Sequence, residues 1–176
     1  LAATDAGAGK VELHWTAPSL AGLLEPQAMT EDFENPDYEA LTIENFGGWQ
    51  MIDKDRGKTY SFIGDTKNPY RTLPMAFQLY DPVKAGVPSD SYIDIAPHSG
   101  NTLLVAWSAK GPNDNWLISP RLSGNEQTVT FFARSFTSYI PESFEVLYGS
   151  EADGEFTKIN AVENYPHSTS SDIHNY

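Results

Sequence analysis

Cysteine is absent from the 176-residue chain, which excludes disulfides, thiolate metal sites and cysteine nucleophiles together and leaves the compartment open. Positive charge is scarce: 11 Lys and Arg stand against 24 Asp and Glu, a formal charge of −13. Without clustered Lys and Arg there is no footprint for a phosphate backbone or an anionic lipid surface, so neither nucleic acid nor membrane insertion is expected. Long apolar runs are missing too. None approaches the roughly 18 residues of a membrane-crossing helix, and the longest apolar-leaning runs, such as residues 128–133, have strand length. The first residues, 1–9, carry neither a basic stretch nor an apolar one and so no targeting signal, as in an exported protein whose signal has been removed. Helical periodicity is not sustained anywhere, and residues 36–41, the nearest candidate, amount to a turn or two.

What is present is turn chemistry and aromatic residues: 13 Gly, 12 Pro, 12% aromatics and a 40% hydrophobic fraction describe a folded chain with many turns. Val11, Leu13 and Trp15 alternate with polar residues, the pattern of a half-buried strand. Further short strands are expected at residues 49–52, 59–63, 75–79, 101–107, 115–118, 128–136, 144–148 and 157–159, separated by signals such as Gly47-Gly48, Asn68-Pro69, Asp81-Pro82 and Gly111-Pro112. Many short strands at about ten-residue spacing imply an all-β chain, a two-sheet antiparallel β-sandwich of the jelly-roll kind with little helix. Such a core accounts for most large apolar side chains, including Trp107 and Trp116, while Trp49 beside Gly47-Gly48 fits either core or surface.

The acidic residues are unevenly placed. Residues 31–55 hold Glu31, Asp32, Glu34, Asp37, Glu39, Glu44, Asp53 and Asp55 with one base, Lys54. A hard cation such as Ca²⁺ wants six to eight oxygens, and carboxylates on loops at strand ends supply them. Asp53-Lys54-Asp55, at a strand end before Gly57, suits such a site without being an EF-hand, since Gly57 stands at the fifth loop position and no Glu at the twelfth. The same pattern is also that of a solvated acidic loop.

Several motifs taken in order carry a resemblance: Asp32-Phe33-Glu34, Phe46-Gly47-Gly48-Trp49, Ile52-Asp53-Lys54-Asp55, Asn113-Asp114-Asn115-Trp116-Leu117-Ile118-Ser119-Pro120, Thr128-Val129-Thr130-Phe131-Phe132-Ala133 and Glu142-Ser143-Phe144-Glu145-Val146-Leu147-Tyr148. Over residues 30–160 the chain resembles the choice-of-anchor J, or cleaved adhesin, domain of Bacteroidetes surface proteins, including the haemagglutinin regions of gingipains. The resemblance implies a jelly roll similar to MAM and galactose-binding domains, bound Ca²⁺, and an extracellular place on the bacterial cell surface. Carried over residue by residue, the implied metal carboxylates are Glu34, Asp53 and Asp114, with Asp55 a fourth.

Val11-Glu12-Leu13-His14-Trp15, followed by Ala17-Pro18, is similar to one strand of a fibronectin type III domain. The expected organisation is therefore a strand fragment over residues 1–20, a linker over 21–29 and the adhesin-like domain over 30–176. Alternatively the first strand adds to the jelly roll and the linker is a long loop. Where the resembled family continues with further apolar strands, residues 162–176 are polar and include His167 and His174. The expectation is a sandwich truncated at that end and completed by another domain or a further segment of the same polyprotein, because exposed strand edges are otherwise avoided.

No Gly-x-Ser-x-Gly elbow, Ser-x-x-Lys, His-Glu-x-x-His or phosphate-cradling glycine loop occurs. His98, in a Pro97-His98-Ser99-Gly100 turn, suits a structural hydrogen bond better than a general base. The expected function is a non-catalytic, calcium-binding adhesin or binding module that attaches to a host surface protein or glycan. One alternative is a carbohydrate-binding module of a glycan-degrading enzyme, with Trp49, Tyr70, Tyr80 or Tyr139 as a stacking platform. Another is a glycan-active enzyme with a carboxylate pair in a cleft.

Overall fold

The structure, a computed structural model, describes residues 2–5, 11–15, 29–60, 64–89, 95–107, 111–122, 127–134, 143–151, 153–159 and 174–175. Most of the expected linker, most of residues 162–176 where the truncation is expected, and residues 61–63 of one expected strand lie outside them. The chain divides into two compact units, one made of Leu1–Ala28 with Ser123–Tyr176 and the other of Met29–Leu122.

The described residues form an all-β protein. Its strands pair antiparallel, and α1 (Pro82–Ala85) is the one α-helix among the described residues. In the first unit, β1 (Ala2–Asp5), β2 (Val11–Trp15) and β7 (Gln127–Val129) make a three-stranded sheet in the order β1-β2-β7, with Leu13 opposite Val129 and Trp15 opposite Gln127. Two short pairs accompany it: β8 (Phe132–Ala133) with β11 (His174–Asn175), and β9 (Leu147–Gly149) with β10 (Phe156–Lys158). The run expected to be continuous over residues 128–136 is broken between β7 and β8, and the Phe131 and Phe144 rings pack at 5.7 Å.

In the second unit, β3 (Gln50–Asp53) pairs with β6 (Asn115–Ile118), and β4 (Gln78–Tyr80) with β5 (Leu103–Val105). The core gathers around β4. All three of its side chains are buried, joined by Val105, Trp107, Met75 and Leu41. Its second edge is used as well, because Leu41 N–H donates to Leu79 O at 2.8 Å and Leu79 N–H to Thr42 O at 3.0 Å. A strand buried on both faces must satisfy any polar side chain it carries. Gln78 does so completely: Nε2 donates to Leu41 O and Asn68 Oδ1, both at 2.9 Å, while Oε1 accepts from Asn68 Nδ2 at 3.0 Å and Trp107 Nε1 at 3.1 Å.

The helix sits where sequence reading expected only a turn. Asp81 caps it by accepting from Val83 and Lys84 N–H at 2.9 and 3.0 Å, Pro82 occupies its first turn, and Gly86 closes it at φ 84°. This is the ordinary asymmetry of proline inside the start and glycine past the end. Residues 36–41 form turns instead.

Candidate functional site

The β3–β6 pair assembles the acidic site from two motifs about sixty residues apart. Its register sets Asp53 opposite Asn115 and Ile52 opposite Trp116. Beyond the last rung the chains stay tied, since Lys54 N–H donates to Asp114 O at 3.0 Å and Asp55 Oδ2 accepts from Asp114 N–H at 2.8 Å. The loop after β3 closes on its own carboxylates: Asp53 Oδ1 accepts from Arg56 N–H and Asp55 Oδ1 from Gly57 N–H, both at 2.7 Å. Short polar side chains that bond the backbone two or three residues on make such turns, and Arg56 takes φ 54° to complete this one.

Asp53, Asp55 and Asp114 are thus brought to one strand end. Asp114 Oδ1 receives the indole N–H of Trp116 at 2.5 Å, and Lys54 Nζ lies 3.6 Å from the centre of the Trp116 ring. Trp116, expected in the core, is half-buried with Lys54 over its face, whereas Trp107 is buried as expected. Among the described residues, Asp53 Oδ2 and Asp114 Oδ2 accept no hydrogen bond, and Asn115 Oδ1 is buried without a hydrogen-bond partner. The corner is therefore rich in oxygen acceptors and short of donors, the chemistry that a hard cation completes. No three His, Asp or Glu side chains among the described residues are grouped closely enough to hold a metal ion as they stand.

Glu34 is engaged elsewhere. Its Oε1 accepts from Asn101 N–H at 2.7 Å and Thr102 N–H at 2.6 Å, and its Oε2 meets Asn101 Nδ2 at 3.4 Å. These bonds, the Asn101 amide first, hold its carboxyl below the usual glutamate range. The approach requires Gly100, at φ 63°, where a Cβ would lie 2.5 Å from Glu34 Oε1. Just ahead, Phe33 adopts φ 63° and its ring packs 6.2 Å from Phe46 and 5.9 Å from Trp49. Glu31 binds the same aromatic group through Tyr38 Oη at 2.9 Å and Trp49 Nε1 at 3.4 Å.

Two members of the acidic corner escaped sequence reading. Asn115 was legible only as part of a motif, and the signal for it is positional, since it faces Asp53 once β3 and β6 are paired. Lys54 carried its signal in plain view as the one base among eight acids. The aromatic platform fares differently. Tyr80 is 0% exposed and unavailable for stacking on a ligand, Trp49 is half-buried with its N–H committed to Glu31, and Tyr139 lies outside the described residues. Compared with family models, curated proteins and solved structures, the chain has no match.

Proposed function

We propose that the chain is a non-catalytic, calcium-binding adhesin or binding module of a bacterial cell-surface protein, folded as a jelly-roll sandwich and presenting its loops to a host protein or glycan. The observation that supports this reading is the strand end shared by Asp53, Asp55 and Asp114, where Asp53 Oδ2 and Asp114 Oδ2 accept no hydrogen bond among the described residues and Asn115 Oδ1 is buried and unpartnered. Calcium there ties the loop after β3 to the start of β6, and its role is structural. Glu34, which the resemblance implied as a ligand, already bonds the Asn101–Thr102 backbone and would have to exchange those amides for the ion.

An ion bound only by the folded state stabilises it by about 2.7 kcal/mol at a hundredfold excess over Kd. The test is thermal unfolding with EDTA and with added Ca²⁺. EDTA is expected to lower Tm and Ca²⁺ to restore it, and Asp114→Ala to remove the response. A Tm indifferent to both treatments in the unsubstituted protein rejects the metal assignment.

A further inference from the structure

The chain leaving β3 sorts its charges by side. From residue 52 to residue 60 exposure alternates: Ile52, Lys54, Arg56, Lys58 and Tyr60 are exposed, Asp53, Asp55 and Gly57 are half-buried, and Thr59 is buried. The acids turn inward because backbone amides claim them. Asp53 Oδ1 accepts from Arg56 N–H, and the two oxygens of Asp55 accept from Gly57 and Asp114 N–H. Thr59 is anchored by its hydroxyl, which donates to Leu73 O at 3.0 Å beside the isolated bridge from Lys58 to Pro74. The cations are what remains on the outside.

Three of the chain's 11 Lys and Arg thus stand within five residues of a protein whose formal charge is −13. Lys54 is seated over the Trp116 ring. Arg56 and Lys58 form no ion pair among the described residues, although the chain has 24 acids to draw on. Tyr60 closes the row at 60% exposure, with no ring contact or hydrogen bond among the described residues. Without a metal, Asp53, Asp55 and Asp114 balance Lys54, Arg56 and Lys58 charge for charge. A divalent ion at the corner leaves two positive charges in excess there, and screening over about 8 Å at physiological salt mutes the more distant acids.

We propose that the row Lys54, Arg56, Lys58 and Tyr60 is a calcium-dependent binding face for an acidic glycan, the cations meeting its carboxylates or sulfates and the Tyr60 ring stacking on a sugar. The face rests on the calcium proposed at the corner, and it gives the binding module its class of ligand. Three cations are too short a row for a phosphate backbone or a lipid surface, and suit a few sugar units. The open ring favours a sugar over an acidic peptide, because the apolar face of a pyranose lies flat on an aromatic ring, whereas an acidic peptide needs the charge alone. The coupling is reciprocal, so the glycan tightens calcium by the factor by which calcium tightens the glycan.

The test titrates the EDTA-treated, dialysed protein, with and without added Ca²⁺, against heparin and hyaluronan hexasaccharides, which separate sulfate from carboxylate. Neutral maltohexaose and oligoglutamate serve as comparisons. At least one acidic sugar is expected to bind, roughly fivefold more tightly with Ca²⁺, and neither comparison to match it. Arg56→Gln combined with Lys58→Gln is expected to weaken binding about tenfold and Tyr60→Ala about fivefold, with Tm unchanged because all three side chains are exposed. The proposal is overturned by no binding of either acidic sugar in Ca²⁺, by full affinity in either substituted protein, or by oligoglutamate binding as tightly. Equal affinity with and without Ca²⁺ overturns it as well. Calcium uptake measured alone separates the failures: a protein that takes up Ca²⁺ and ignores both sugars loses this face and keeps its metal site, whereas one that takes up no Ca²⁺ loses both.

Discussion

Two parts of the second unit use carboxylates in opposite ways. Around Gln78, the Asn68 amide and the Trp107 indole give their polar atoms to the Gln78 side chain, which has no hydrogen-bonding capacity left over, while the buried Asp65 joins through Oδ2 to Asn68 and turns Oδ1 toward Arg71. At the end of the β3–β6 pair, Asp53, Asp55 and Asp114 are bonded to loop amides and one indole; Asp55 uses both oxygens, and Asp53 and Asp114 each keep one to spare. Burial makes every unmade bond in the first group cost the desolvation of the orphaned atom, and Gln78 and Asn68 are fully bonded there, whereas Asp65 Oδ1 accepts no hydrogen bond and is balanced by the Arg71 charge. The second group is more exposed and leaves Asp53 Oδ2 and Asp114 Oδ2 without hydrogen bonds among the described residues, the oxygens at which the proposed calcium would bind. Counting acids along the chain does not distinguish the two; burial and the neighbours of each oxygen do.

The largest effect is expected from the buried group. Gln78→Ala strands Trp107 Nε1, the Asn68 amide and Leu41 O together, and is expected to cost about 3 kcal/mol in urea unfolding. Asp53→Asn, measured without calcium, should cost under about 1 kcal/mol. If the two losses are equal, the distinction between the regions fails. Next in size, Gly100→Ala places a methyl against Glu34 Oε1 at a backbone angle that favours glycine, and should cost about 1–2 kcal/mol.

A smaller effect is expected from acid. The Glu34 carboxyl is held below its ordinary value by the Asn101 and Thr102 amides. Its contribution to stability is therefore present above the unfolded glutamate pKa and is lost as pH falls through the lower folded value. Glu34→Gln should lower stability at neutral pH and flatten the stability profile on the acid side, as read by unfolding at a series of pH values. A profile as steep as that of the unsubstituted protein would mean that Glu34 is not what acid removes. Smallest of all, Lys54→Ala takes a positive charge from the acidic corner and should tighten Ca²⁺ binding about threefold, by ordinary screened Coulomb attraction. Unchanged affinity would place the ion away from Lys54.

Much of the strand content could be read from the sequence because it is written in alternation and turn residues. Val11, Leu13 and Trp15 announced β2, and Asn115 to Ile118 announced β6, since both lie between strong breaks in the pattern. Partners were not legible. Nothing in the order of residues says that Val11–Trp15 lies between Ala2–Asp5 and Gln127–Val129, because register comes from long-range pairing. The buried group around Gln78 was hidden for a further reason. Asn68, Gln78 and Asp65 look like surface residues to any hydrophobic pattern, and only the buried setting of β4 turns them inward. Tyr80 was misjudged as a platform on the same grounds. Of the acidic site, the carboxylate-closed loop was visible in Asp53-Lys54-Asp55, whereas the separate engagement of Glu34 depends on the turn at Gly100 and the path of residues 100–102.

The calcium ion proposed at the acidic corner of Asp53, Asp55 and Asp114 can be sought by binding itself. Calorimetric titration of the EDTA-treated, dialysed protein with Ca²⁺, set beside the same titration of Asp114→Ala, tests it most directly. One saturable site is expected in the unsubstituted protein, and none in the variant. Absence of binding in the former, or equal affinity in both, would contradict it.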